Sequence, residues 1–193
     1  MPKIMIVMPT RGRPWCATLG YAMKLAETLH TSCLLNTGAP LTMARNYFVK
    51  NFLKNPEYTH LYMLDDDVVP PPDALDRLLA INAPVATAVY PLFTTKPVMS
   101  AMSMTDSEWP RKVVFKPFQA RHAGLGCMLV ERRVFETVKF PWFYFDERED
   151  QPFVGEDVWF CFKVREAGFD IVCDGRIICG HVKDNVNLSQ LIS

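Results

Sequence analysis

The sequence carries no excess of either charge, since Lys+Arg and Asp+Glu number 21 each among 193 residues. Without a net field, nucleic acid and anionic membrane surfaces are not expected partners. Long apolar runs are also missing. No window approaches the roughly 20 apolar residues that cross a bilayer, so no transmembrane segment is expected. The run from Ile4 to Met8 stops at Pro9, too early for a secretory signal. None of the six cysteines (Cys16, Cys33, Cys127, Cys161, Cys173, Cys179) stands in Cys-x-x-Cys spacing, which argues against a zinc or dithiol site. Most sit among apolar neighbours, as in Cys127-Met128-Leu129, and are expected to be reduced core residues of a cytoplasmic protein. With no internal repeat and no break in composition, residues 1–193 read as a single domain. Within it, residues 1–90 and 91–182 would form two halves, with 183–193 a tail.

What is present is an alternation of short apolar runs with amphipathic stretches, the mark of an α/β fold. Ile4–Met8, Cys33–Leu35, Leu61–Leu64 and Val85–Tyr90 read as strands. Helices are expected over 14–29, 41–54 and 73–81, where apolar residues recur at helical spacing. Three strand–helix repeats and a closing strand predict a mostly parallel sheet with its ligand at the strands' carboxyl ends. The proline-rich stretch 91–120 predicts hairpins and loops. Leu125–Val130 reads as a strand and 131–138 as a short helix; a second helix runs from Gly155 to Ala167 and stops at Gly168. Ile171–Cys173 and Ile177–Val182 read as two late strands.

Three motifs carry possible chemistry. Asp65-Asp66-Asp67 follows an apolar strand directly, and three adjacent carboxylates repel one another unless something compensates them. In an extended segment Asp65 and Asp67 would share one side, with Asp66 opposite. A hard divalent cation, Mg2+ or Mn2+, suits such oxygens and commonly bridges protein to phosphate. A solvated acidic turn capping the next helix is the plainer alternative. Glu156 and Asp157 lie where a helix begins, as acids do at many helix starts, and the helix dipole would keep Asp157 ionised with a lowered pKa. His181 ends an apolar stretch and, as a neutral imidazole, would complete a metal site begun by carboxylates, although a lone histidine is more often structural.

The order of these motifs resembles the GT-A class of glycosyltransferases, particularly small bacterial or phage members similar to family two. It runs from Asp-x-Asp after a strand, through the Gly-rich segment His122-Ala123-Gly124-Leu125-Gly126, to Gly155-Glu156-Asp157 on a helix and a late His181. The resemblance implies a Rossmann-like central sheet with helices on both faces and a small hairpin region. It also implies Mn2+ or Mg2+ and a nucleoside-diphosphate sugar donor, by default a uridine diphosphate sugar, with a carbohydrate or other hydroxyl-bearing acceptor. Asp67, as the direct ligand, and His181, helped by Asp65, would hold the metal; Asp65, nearer the ribose, and Asp66 would also lie against the donor. Asp157 would be the base of an inverting transfer, with Glu156 beside it near the acceptor. Pro9, Thr10 and Arg11 would meet the base and ribose, Gly124 and Gly126 the donor sugar, and Arg45 with Asn46 the nucleotide pocket. Among the later aromatics, Trp142 and Tyr144 are candidates to stack on a sugar face. Retaining transfer, a metal-dependent phosphohydrolase or nucleotidyltransferase, and a non-catalytic nucleotide-sugar binder stay open; the lack of a Gly-rich basic run after the first strand speaks against nucleotidyl transfer.

Overall fold

A computed structural model describes residues 2–92, 98–147, 154–183 and 186–187. Phe153, beside the Gly-Glu-Asp motif, and most of the expected tail lie outside the described residues. The first half follows the expected alternation: β1 (Ile4–Thr10), α1 (Cys16–Thr28), β2 (Cys33–Thr37), α2 (Leu41–Lys54), β3 (His60–Leu64), the two-residue β4 (Val68–Val69), α3 (Ala74–Ile81) and β5 (Val85–Val89). Short pieces follow, β6 (Pro91–Leu92), β7 (Val98–Met99) and β8 (Ala101–Ser103), then β9 (Pro117–Ala123), β10 (Cys127–Glu131) and α4 (Arg132–Thr137). The chain closes with α5 (Glu156–Glu166), β11 (Ile171–Ile178), β12 (Gly180–Lys183) and β13 (Val186–Asn187).

The central sheet has eight strands in the order β2-β1-β3-β10-β5-β11-β9-β8. From the pairings, six of them run one way and only β10 and β9 oppose. Strand alternation divides the core cleanly. Met5, Val7, Leu61 and Met63 face α2, α4 and α5, whereas Ile4, Ile6, Met8, Tyr62 and Leu64 face α1 and α3. The 14-residue α2 would be marginal alone. Burying Phe48 and Phe52 completely, at about 1.5–3 kcal/mol each, is what holds it to the sheet. Gly168 takes a φ of 82° just beyond α5, the left-handed stop its sequence suggests.

Two expectations about strands are corrected. β1 continues through Pro9 to Thr10, because Pro9 pairs only with β2 at that level while the β3 pairing has ended at Val7; proline's missing N–H costs little there. The two late strands up to Ile178 are one bulged strand, β11, which shifts register between Cys173 and Ile178. Gly175 permits this: a Cβ there would stand 1.8 Å from the Val114 carbonyl oxygen. Among the described residues no helix is long and apolar enough to cross a membrane.

Candidate active site

A cleft of about 710 Å3 opens at the carboxyl ends of β1 and β3, within the range of about 300–1,000 Å3 usual for small-molecule sites. Pro9, Thr10, Arg11 and Arg13 line one side; Ala39, Pro40, Leu41 and Arg45 form another; Asp65, Asp66, Asp67 and Glu156 complete it. Eight residues singled out in the sequence therefore meet in one place. Arg13 and the Ala39–Leu41 turn were not singled out, because nothing in their local pattern distinguishes them from ordinary loop residues.

The acidic segment is a turn rather than an extended piece, closed by the Val68 N–H donating to the Asp65 carbonyl at 3.2 Å. The expected alternation is lost, and all three aspartates line the cleft. They do not converge on one point. Asp65 accepts a hydrogen bond from Arg45 Nη2 at 2.6 Å, and Asp67 Oδ2 lies 3.4 Å from His181 Nε2. Asp66 is fixed through its carbonyl, which accepts the Trp15 N–H at 2.8 Å. Burial raises the pKa of Asp66, partly offset by a hydrogen bond with Thr10.

Arg45 is only 3% exposed, so its charge must be met locally. Asp65 meets it at 2.6 Å, and Glu156 Oε1 stands 3.5 Å from its Nε, which makes no hydrogen bond. Asn46, its neighbour in α2, points elsewhere. Its amide donates to the Phe143 carbonyl and its Oδ1 accepts the Trp142 and Phe143 N–H groups, fastening that segment to α2. Successive helical residues point about 100° apart, and of the pair Arg45 alone lines the cleft.

At the other wall, α5 begins after Gly155 with Glu156 and Asp157 in its first turn. Glu156 lines the cleft; half-buried Asp157 is absent from the lining, and its Oδ1 accepts the Val158 N–H at 2.7 Å. Burial raises the pKa of both acids, against the helix-start donors and Arg45, which lower it. The lowered value expected for Asp157 is thus corrected, because desolvation outweighs the helix terminus.

His181 arrives through β12, which pairs antiparallel with β4 so that His181 stands opposite Val68, while the Val182 N–H donates to the Asp67 carbonyl. His181 Nδ1 lies 2.6 Å from the Pro91 carbonyl, which can only accept. Nδ1 therefore carries the proton, and in the neutral ring Nε2 presents its lone pair toward Asp67, the tautomer a metal ligand requires. Burial lowers the pKa of His181, but Asp67, the Pro91 carbonyl and Asp65 outweigh it and raise the net value.

Tyr90 organises this corner and had no sequence signal beyond its place at a strand end. Its ring packs edge-on against His181 at 5.3 Å, and its hydroxyl accepts the Gly126 N–H at 3.0 Å. Burial and the charge of Asp65 raise its pKa, so it remains a neutral phenol. The room that Gly124 and Gly126 leave is taken by this side chain: a Cβ on Gly124 would meet the Tyr90 hydroxyl at 2.2 Å, and one on Gly126 would meet Val68 and Tyr90. Neither glycine lines the cleft. Trp142 is buried and spends its indole N–H on the Phe135 and Val138 carbonyls, which removes it as a sugar platform. Tyr144 is exposed and rests on Trp159 at 5.4 Å.

No protein-family model matches the chain, and no curated protein matches it by sequence. Solved structures do match by shape. A197 from STIV superposes with a TM-score of 0.72 at 19% identity, over 96% of this chain and 89% of that one. GalNAc-T7, crystallised with UDP, GalNAc and Mn2+, gives 0.62 at 13% identity over 95% of this chain, which spans 45% of its length. A Drosophila beta-1,4-galactosyltransferase 7 mutant, in complex with manganese, UDP-Gal and xylobiose, gives 0.57 at 13% over 95% of this chain and 72% of that one. At these identities the likeness establishes the fold, and that fold is GT-A.

Proposed function

We propose that the protein is a metal-dependent glycosyltransferase that moves a sugar from a nucleoside-diphosphate sugar to an acceptor hydroxyl. The observation that carries this reading is the cleft at the strand ends, where Asp65, Asp66, Asp67 and Glu156 face Arg11, Arg13 and Arg45 on a GT-A frame. Solved neighbours of this shape hold UDP with Mn2+, or UDP-Gal with manganese, which supports Mn2+ and a uridine diphosphate sugar over other pairs.

Asp67 and His181 fit a divalent cation, a carboxylate oxygen and an imidazole nitrogen of the right tautomer 3.4 Å apart. Among the described residues no three acidic, histidine or cysteine side chains are placed to hold an ion by themselves. The two would therefore share it with the donor's phosphates and water, and Mg2+ would suit the same set. When bound, the cation neutralises charge on the departing diphosphate.

Pro9, Thr10 and Arg11 take the base and ribose side, and Arg13 extends that wall with a second cation. Asp157 accepts the proton of the acceptor hydroxyl as it attacks the anomeric carbon, giving inversion. Its pKa, raised by burial, makes it a stronger base than an exposed aspartate. Glu156, tied to Arg45, orients the start of α5. In this reading residues 1–90 form the nucleotide half and 91–182 the acceptor half. Six free cysteines, four of them buried, suit a cytoplasmic setting.

Release of nucleoside diphosphate from a panel of nucleotide sugars, with Mn2+, with Mg2+ and with chelator, tests the proposal. Metal-dependent turnover of one donor supports it. Silence across the panel, without calorimetric binding of any donor, would reject it in favour of a phosphohydrolase or a GT-A frame without transfer activity.

A further inference from the structure

Phe115 is 66% exposed, more than any other large apolar side chain among the described residues. The backbone enforces that exposure. The Lys116 N–H donates to the Val114 carbonyl at 2.7 Å, closing a three-residue turn with Phe115 at its apex. The turn is fastened to the bulge of β11. There the Gly175 N–H donates to the Lys116 carbonyl at 3.4 Å, and the Val114 carbonyl fills the space a Cβ on Gly175 would need. Val113 packs on the core behind the turn, and Val114 is 38% exposed beside Phe115. Cations surround this tip. Lys112 and Lys116 are exposed on either side of it in the chain. Arg176, next to Gly175, is gripped by Asp174 at 2.7 Å, yet its side chain stays 55% exposed. Arg77 of α3 shares with Arg176 and Pro117 a hollow of about 400 Å3 lined by Ala80, Ile81 and Val172. Asp174 is buried against Arg176, and Asp73 stands 3.8 Å from Arg77. The zero net charge of the chain thus conceals a local excess, four cations against two acids, around two exposed apolar side chains.

We infer that this face docks on an anionic membrane surface, with Phe115 and Val114 entering the boundary between headgroups and acyl chains and Lys112, Lys116, Arg176 and Arg77 meeting lipid phosphates. An anionic bilayer satisfies both parts of the patch, the cations and the apolar tip. A second copy of the chain would instead set like charges against one another across a twofold axis. Arg77 and Arg176, at the mouth of one hollow, suit a shared headgroup, since guanidinium groups match phosphate oxygens. The contact holds the protein at a membrane reversibly and without a spanning helix. It uses none of the residues that line the cleft.

Co-sedimentation of the full chain with vesicles tests this without any turnover. Phosphatidylcholine vesicles carrying about one-third phosphatidylserine are expected to bind the parent, and pure phosphatidylcholine vesicles about tenfold more weakly or less. Phe115→Ser is expected to weaken binding by about tenfold or more, the scale of one aromatic side chain withdrawn from an apolar phase. Lys112→Gln combined with Lys116→Gln should weaken it by about tenfold or more, as two lost cations require. Raising salt to about 1 M, where the screening length is about 3 Å, should act in the same direction. Met23→Ser, which removes a side chain 61% exposed on α1, should leave binding within about twofold of the parent. All four positions are exposed, so unfolding midpoints are expected to match the parent. No binding to the mixed vesicles overturns the inference, as does an equal loss in Met23→Ser and Phe115→Ser. A dimer that Phe115→Ser dissociates, without vesicle binding, overturns it in favour of a second copy. Binding of an oligonucleotide but not of vesicles overturns it in favour of nucleic acid. None of these results bears on metal-dependent turnover, since no substituted residue lines the cleft.

Discussion

The two walls of the cleft are built by different means. The wall from the first half consists of consecutive strand ends: Pro9 and Thr10 close β1, Arg45 rises from α2, and Asp65 to Asp67 follow β3. Pro9, Thr10 and the three aspartates stand where the chain leaves the sheet and Arg45 on the first turns of the helix beside them, so a parallel βα repeat delivers them together. The second half lines the cleft through Glu156 alone, and the groups around that wall depend on long-range insertions. β10 enters antiparallel between β3 and β5, carrying Gly124 and Gly126 onto Tyr90, and β12 turns back onto β4 to set His181 beside Asp67. Arg45 joins the two walls through Asp65 and Glu156. Binding groups accumulate on the repetitive side; the proposed base and the histidine come from the irregular one.

That contrast is sharpest at Asp157. Asp157→Asn is expected to lower kcat by about 10²–10⁴-fold, as for a lost general base, with UDP affinity nearly unchanged. Loss of UDP binding in parallel would assign Asp157 to the binding wall instead. Next in size, Gly124→Ala drives a Cβ into the Tyr90 hydroxyl and is expected to cost about 1–3 kcal/mol by denaturant unfolding. Combined with Tyr90→Phe, its effect should be smaller than the sum of the two; strict additivity would mean the corner is not organised by that contact. Tyr90→Phe alone leaves the Gly126 N–H buried without its acceptor, for a loss of about 1–2 kcal/mol.

The smallest expected effect is a pH dependence of stability. Burial raises Asp66, Glu156 and Asp157 above ordinary carboxylate values. Between the unfolded and folded pKa values the folded chain binds more protons than the unfolded one. Their contribution to stability is therefore full below the unfolded values and is lost as pH rises through the folded ones. Unfolding midpoints of Glu156→Gln, measured in chelator, should fall less steeply with pH over that window than those of the parent. Parallel curves would show that Glu156 is not desolvated in solution.

Legibility followed the same division. The helix at 41–54 matches α2 to the residue, because its apolar spacing and the flanking Pro40 and Asn55 agree with the tertiary packing. Six of the eight chosen residues that share the cleft lie at the ends of β1 and β3, and strand ends are local features of the sequence; Arg45 and Glu156 come from α2 and α5. The place of β10 between β3 and β5 had no local signal, since an apolar run does not state its partner. The turn at Asp65–Asp67 likewise depends on Gly126, Arg45 and His181, all distant in sequence. Gly124 and Gly126 read as room for a ligand; the structure fills that room with Tyr90. Asp157 read as a weak base from its helix position alone, because burial is a property of the assembled fold.

The central claim is that this cleft takes a nucleoside diphosphate together with a divalent cation on Asp67. Calorimetric titration of UDP into the protein with Mn2+, repeated with chelator and with Asp67→Asn, tests it most directly. The account predicts binding with Mn2+ that weakens by about tenfold or more in both controls. Equal UDP affinity with and without the metal, or no binding in any condition, would contradict it.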